Sequence, residues 1–252
     1  MRVAVVGGTG VVGRHTVEAL RAAGHEAVVI ARSAGVDVAS GRGLDAALAG
    51  AKAVIDVGNI ATVRRSAAEA FFDKATRNLL DAGAKAGVEH LVVLSIVGCD
   101  RVDLGYYFGK RRQEELVLAG PLPFTILRAT QFHEFPGQLI DRTPPVPVPV
   151  NVVPRMRSQP IAAREVGTAL ARIVGEAPAG RAPDLAGPEV HEMPDLVRMV
   201  MRARGSRKAV IGVRLPGATG KALAHGGLLP DAEGPRGRET FAEWLAAQPA
   251  VD

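Results

Sequence analysis

The sequence predicts an α/β protein, a doubly wound parallel sheet with a small C-terminal cap, on three observations. Short β-rich apolar runs alternate with longer helical patterns over the first 130 residues. Several of those runs are apolar at nearly every position, as strands are when helices cover both faces of a sheet. The first run passes directly into Gly7-Gly8-Thr9-Gly10-Val11-Val12-Gly13, a glycine-rich turn that opens a helical pattern.

The strand-like runs are Arg2 to Val6, Ala27 to Ala31, Ala53 to Val57, His90 to Ser95 and Phe124 to Arg128. Helical patterns lie between them at about Val11 to Ala23, Leu44 to Leu48, Ser66 to Ala86 and Gly109 to Ala119. After Arg128 the rhythm changes. Pro144-Pro145-Val146-Pro147-Val148-Pro149 excludes a regular helix or a central strand, because proline has no N–H to donate, and reads as an extended surface segment or cap. A helix resumes from Ala162 to Val174, with Val166, Leu170, Ile173 and Val174 on one face. A strand near Ala182 to Ala186 then completes the sheet. The last third carries a helix at Met193 to Ala203, a strand at Ala209 to Val213 and a terminal helix at Glu239 to Ala247. These elements are read as one domain, with its core over about 1–130 and 160–187 and a substrate-side cap over about 131–159 and 188–252.

Composition narrows the function classes. A chain of 252 residues buries one substantial core, and 47% hydrophobic with 23% charged residues is ordinary globular composition. Apolar runs are broken well before the ~20 residues of a membrane span, and the N-terminus lacks a signal-peptide pattern, so a cytoplasmic protein without membrane association is expected. The net charge of +5 comes from 25 arginines and six lysines spread along the chain, and aromatics make up only 4%. That dispersal argues against a nucleic-acid partner, while an anionic cofactor uses part of the excess. The single cysteine, Cys99, excludes an intrachain disulfide and a structural zinc site, and no metal is expected. A small-molecule substrate and a monomer or homodimer are the expected partner and state.

The glycine turn carries the first chemical signal. Gly7 and Gly10 permit tight backbone geometry and close approach of a pyrophosphate, and Gly13 lets the helix pack against the sheet. The free N–H groups at the helix start, around Thr9, Val11 and Val12, face an anion with the positive end of the helix dipole behind them. This is the Rossmann-like dinucleotide signature. At the end of the second strand stand Arg32 and Ser33, where an acid would bind a ribose 2′-hydroxyl. A guanidinium there pairs with a 2′-phosphate, so NADP(H) is favoured over NAD(H). Asp37 and Val38 are placed near the adenine, and Val57, Gly58 and Asn59 near its ribose, by their positions after successive strands.

Ser95 ends the fourth strand, and Tyr106 and Lys110 follow, four residues apart, a spacing that puts phenol and ammonium on one helix face. Together with the glycine turn, the run Leu94-Ser95-Ile96-Val97-Gly98, the segment Tyr106-Tyr107-Phe108-Gly109-Lys110, Glu114 and the run Phe124 to Phe132, these features resemble the atypical short-chain dehydrogenase/reductases. Within them the branch of NmrA-like NAD(P)-binding proteins is the most similar, over about residues 1–175.

The resemblance implies that Ser95, Tyr106 and Lys110 are catalytic. Tyr106 would give a proton to the growing alkoxide, Lys110 would hold the nicotinamide ribose and lower the phenol pKa, and Ser95 would aim the substrate oxygen. Tyr107 is the alternative phenol at the same helix start. The backbone of Ala129, Thr130 and Phe132 is expected beside the nicotinamide. Ile96, Val97, Tyr107, Phe132, His133 and Met156 are expected on the substrate side. The expected activity is NADPH-dependent reduction of a carbonyl in a small or medium-sized compound. A non-catalytic NADP(H)-binding regulator and an isomerase or epimerase using bound dinucleotide share the same residues and stay open.

Overall fold

Val3, Ala4, Val5 and Val6 are all buried, and the β-branched valines among them suit a strand covered on both faces. The computed structural model, which describes residues 1–142 and 150–249, builds outward from this strand. In chain order the elements are β1 (Arg2–Val6), α1 (Val11–Ala22), β2 (Glu26–Ile30), α2 (Leu44–Leu48), β3 (Ala53–Asp56), α3 (Arg65–Ala86), β4 (His90–Ile96), α4 (Gly105–Ala119) and β5 (Phe124–Ala129). There follow α5 (Phe135–Arg142), β6 (Val150–Pro154), β7 (Arg157–Ser158), α6 (Ala163–Ile173), β8 (Gly180–Arg181), β9 (His191–Glu192), α7 (Met193–Ala203), β10 (Ala209–Val213), α8 (Gly217–Ala224) and α9 (Phe241–Ala246).

They form two compact units. The first comprises Met1–Ala129 and Ala163–Pro183, the second Thr130–Ala162 and Asp184–Asp252. In the first, a six-stranded parallel sheet has the order β2-β1-β3-β4-β5-β8. The chain leaves β1 toward β2 and returns to the other side at β3, so the order reverses beside β1, where ligands bind at the strands' carboxyl ends in such folds. Alternate sheet residues Ala4, Val6, Val54, Leu91 and Val93 pack with Leu48, Leu79, Leu80, Leu116 and Val117 of α2, α3 and α4. Helices α1 and α6 pack against each other. Their close approach requires Gly167, where an added Cβ would meet Thr16 N at 2.8 Å.

In the second unit β6 and β10 form a parallel pair, and β7 and β9 an antiparallel one. Helix α9 is closed by a capping box: Thr240 Oγ1 accepts from Glu243 N at 3.2 Å, and Glu243 Oε2 accepts from Thr240 N at 2.8 Å.

Several elements depart from the sequence reading. Helix α4 begins at Gly105 rather than Gly109, which brings Tyr106 inside it. The sixth strand is Gly180–Arg181, not Ala182 to Ala186; Ala182 N still donates to Ile126 O, but Pro183 has no N–H to continue the ladder. Helices α5 and α8 and strand β6 were not expected at all. The proline run expected as an extended segment, 144–149, lies outside the described residues. Among the described residues no helix is long and apolar enough to cross a membrane.

Candidate cofactor and catalytic site

Register assembles the first half of the site. Val6 pairs with Ile30 on one side and Asp56 on the other, so Gly7, Ala31 and Val57 follow at one edge of the sheet. Gly7 has φ +76° and lies against the end of β3; a Cβ there would sit 2.8 Å from Val57 O. A Cβ on Gly13 would sit 2.1 Å from Gly7 O, so glycine is required to fold the turn onto the helix start. Arg14 N makes the first helical bond to Gly10 O, which leaves the N–H groups of Val11, Val12 and Gly13 ahead of any intrahelical acceptor. Thr9 and Gly10 are exposed. This concave backbone with unsatisfied donors fits a dinucleotide pyrophosphate.

Arg32 and Ser33 open a 3₁₀ turn directly after β2, and both are exposed. Among the described residues neither side chain has a hydrogen-bond or ion-pair partner, so the guanidinium is available to an anion. Asp37 is committed to its own turn: its carboxylate accepts from Ala39 N at 3.0 Å and from Ser40 Oγ at 3.1 Å. Val38 is half-buried, and its carbonyl accepts from Asn78 Nδ2 at 3.0 Å.

The second half is built on α4. The glycines of Gly105-Tyr106-Tyr107-Phe108-Gly109 let this helix touch its neighbours: a Cβ on Gly105 would lie 2.2 Å from Val63 O, and one on Gly109 2.6 Å from the Phe72 ring. Tyr106 is thereby held edge-on to Phe72, ring centroids 5.7 Å apart. Its hydroxyl donates to Asn59 Oδ1 at 2.7 Å, two residues past the Val57 carbonyl that Gly7 covers. Tyr107 is buried, at 7% exposure, with its ring 6.3 Å from that of Tyr106.

The structure does not join Ser95, Tyr106 and Lys110 in one hydrogen-bonded set. Lys110 is buried, its Nζ donating to Leu94 O at 2.6 Å and to Gln113 Oε1, and standing 4.7 Å from the Phe72 ring centroid. Gln113 Nε2 in turn donates to Asp56 Oδ2 at 2.8 Å, and Asp56 Oδ1 accepts from Gly58 N at 2.8 Å. Burial pushes the Asp56 carboxyl up, against the attraction of Lys110 and those two hydrogen bonds. Burial pushes the Lys110 ammonium down, against the attraction of Asp56. The Tyr106 phenol is pushed up, by burial first and then by Tyr107 and Asp56, where the sequence reading had Lys110 lowering it.

Ser95 belongs to a separate set. Its hydroxyl donates to Glu114 Oε1 at 2.5 Å, and Glu114 also accepts from Arg128 Nε at 2.9 Å, Arg128 Nη2 at 2.7 Å and Arg181 Nη1 at 2.8 Å. Burial would raise the Glu114 carboxyl, but the hydrogen bonds from Arg128, Ser95 and Arg181 outweigh it and hold the pKa at about 2. Cys99 lies beside this set, its thiol pushed up to about 11 by burial and by Glu114. Ile96 is half-buried at the end of β4, and Val97 is buried with its N–H donating to Ala129 O at 3.0 Å.

The remaining expected residues belong to the second unit. Thr130 is buried, its hydroxyl donating to Gln159 O at 2.6 Å. Phe132 is half-buried and forms a bridge with Ile161. His133 is fully buried; its Nε2 lies 3.1 Å from Glu239 O and its ring packs on Phe241 and Trp244. Met156 is buried, and its carbonyl accepts from Met193 N at 2.8 Å. A cavity of about 370 Å³ in this unit is lined by Arg155, Arg198, Arg214 and Glu192 among others, none of them an expected site residue. Among the described residues no group of three or more His, Cys, Asp or Glu could hold a metal ion.

Asp56 and Gln113 were missed by the sequence reading. The signal available was a lone carboxylate inside the apolar run Ala53 to Val57.

A family model described as NAD(P)H-binding matches residues 7–174, about two-thirds of the chain. The chain belongs to this NAD(P)H-binding family. The match starts at the glycine turn and ends just past α6, and it agrees with the resemblance to atypical short-chain dehydrogenase/reductases. No curated protein sequence matches the chain.

Among solved structures, the fold is similar to the NADPH-dependent quinone oxidoreductase of Escherichia coli complexed with NADPH, at 19% identity and TM-score 0.71 over 97% of this chain and 98% of that one. It is also similar to the Citrobacter sp. triphenylmethane reductase complexed with NADP(H), at 16% identity and TM-score 0.68 over 92% and 93%. A third similarity is to the Thermus thermophilus UDP-glucose 4-epimerase complexed with NAD, at 20% identity and TM-score 0.68 over 98% and 100%.

Proposed function

We propose that this protein is an NADPH-dependent oxidoreductase that reduces a carbonyl group of a small or medium-sized organic compound, with Tyr106 as the proton donor. The observation that carries the reading is the Tyr106–Asn59 hydrogen bond, formed two residues from the Val57 carbonyl on which the glycine turn rests. It puts a hydroxyl proton at the same sheet edge as the glycine turn. Arg32 and Ser33, exposed and without a hydrogen-bond or ion-pair partner among the described residues, support selection of a 2′-phosphate.

Bound NADPH supplies the hydride. The chain's own part is to hold the dinucleotide on the amides of Val11, Val12 and Gly13 and to deliver a proton. A phenol is protonated at neutral pH, the state a donor to an alkoxide needs, and burial pushes Tyr106 further in that direction. Asn59 fixes the direction of the hydroxyl until the substrate oxygen takes its place as acceptor. Ser95 takes no part in this reading, because its hydroxyl donates to Glu114.

One observation favours a second reading, binding of NADP(H) without turnover: Ser95 and Lys110, the implied partners of Tyr106, are both spent on other groups. The two readings separate in an assay of NADPH consumption over aldehydes, ketones and quinones. Under the first, Tyr106→Phe lowers turnover by roughly 10²–10⁴-fold while NADPH affinity stays within about twofold. NADPH binding by the parent protein with no turnover on any acceptor would leave the second reading standing.

A further inference from the structure

We propose that Asp56, Gln113 and Lys110 are positioning residues: a buried set that fixes the Gly58–Asn59 loop and, through Asn59, the proton of Tyr106. This rests on Tyr106 as the donor and gives Lys110 a task away from the nicotinamide ribose. Residues 57–64 carry no helix or strand, so Asn59 needs another anchor. That anchor is Asp56, whose Oδ1 accepts from Gly58 N at 2.8 Å. The other carboxylate oxygen accepts from Gln113 Nε2 at 2.8 Å, and Gln113 Oε1 accepts from Lys110 Nζ, which is itself tied to Leu94 O at 2.6 Å.

Tyr106, Lys110 and Gln113 stand at i, i+4 and i+7 of α4, so one helix face carries both the phenol and the two groups that hold its acceptor loop. The circuit closes from Tyr106 through Asn59, Gly58, Asp56 and Gln113 back to α4. Lys110 contributes in two ways: it orients the Gln113 amide so that nitrogen faces Asp56, and it supplies the cation that a buried carboxylate needs. Both of its hydrogen bonds lie within this set or on β4, and neither reaches Tyr106.

The test uses the whole protein and begins without cofactor. Gln113→Leu removes the link without changing charge. In the free protein the Gly58 amide is expected to exchange with deuterium about tenfold faster, because opening of the loop no longer breaks a braced bond. With NADPH and the best acceptor, kcat is expected to fall on the order of tenfold while KM and NADPH affinity hold within about twofold. Lys110→Met, which keeps the buried stem, is the second variant and must reproduce both changes; adding Gln113→Leu to it must cost no more than either alone.

Unchanged Gly58 exchange in both variants overturns the proposal. So does a loss of NADPH affinity in Lys110→Met as large as its loss of kcat, which would place the ammonium on the cofactor. A parent protein without turnover defeats the oxidoreductase reading alone, and the exchange result still decides the positioning claim.

Discussion

Two buried carboxylates meet the same helix and are treated in opposite ways. Glu114 of α4 accepts from two guanidiniums and a hydroxyl, and these donors hold its pKa at about 2 in spite of burial. Asp56 of β3 accepts from two neutral N–H groups and has one ammonium nearby, and burial wins. The number of fixed cationic donors decides the outcome. Glu114 is therefore a clamp, drawing β5 and β8 onto α4 through Arg128 and Arg181. Asp56 sits in a more finely balanced set, beside the loop that holds Tyr106. In the proposed function the residues of the clamp contribute to stability, and those of the Asp56 set to the geometry of the site.

The largest test of this contrast is Glu114→Gln. Removing the charge leaves Asp100 as the carboxylate that pairs with Arg128 among the described residues and is expected to destabilise the fold by about 3 kcal/mol in urea unfolding. The pH dependence has a definite sign. Glu114 binds protons less tightly folded than unfolded, so its contribution is complete above the ordinary glutamate range and is lost as pH falls toward about 2. That contribution is on the order of 3 kcal/mol, and Glu114→Gln should flatten the acid limb of the stability curve across this window. An unchanged acid limb would remove Glu114 from the role of clamp.

A smaller effect is expected at the other end of α4. Gly109→Ala drives a methyl toward the Phe72 ring at 2.6 Å and the Ala68 backbone carbon at 2.8 Å. Separation of α3 from α4 should cost about 2 kcal/mol in the same unfolding measurement. Because Tyr106 rests on Phe72, its ring resonances should shift as well. A shift confined to residues around Glu114 would show that the α3 contact does not set the phenol.

What the sequence made legible follows the range of the interactions involved. Strands β1, β3 and β4 announce themselves by largely apolar runs, and the glycine turn by three glycines whose added Cβ atoms would meet nearby backbone. The sequence pattern places the start of α4 at Gly109, whereas the helix begins at Gly105, whose missing side chain admits Val63 O. Pro183 was overlooked, and with it the early end of β8. At the site, Tyr106, Lys110 and Asn59 were visible one by one, but their partners were not. Asp56 and Gln113 are 57 residues apart, and Ser95 and Glu114 are 19 apart, so only the packed structure shows which hydrogen bond each group makes.

The central claim is that the glycine turn and Arg32 together bind NADP(H). Titration of the free protein and of Arg32→Ala with NADPH and NADH tests it most directly. The parent protein should prefer NADPH by about tenfold or more, and Arg32→Ala should abolish that preference while NADH affinity stays the same. Equal affinity of the parent protein for the two, or binding of neither, would contradict the account.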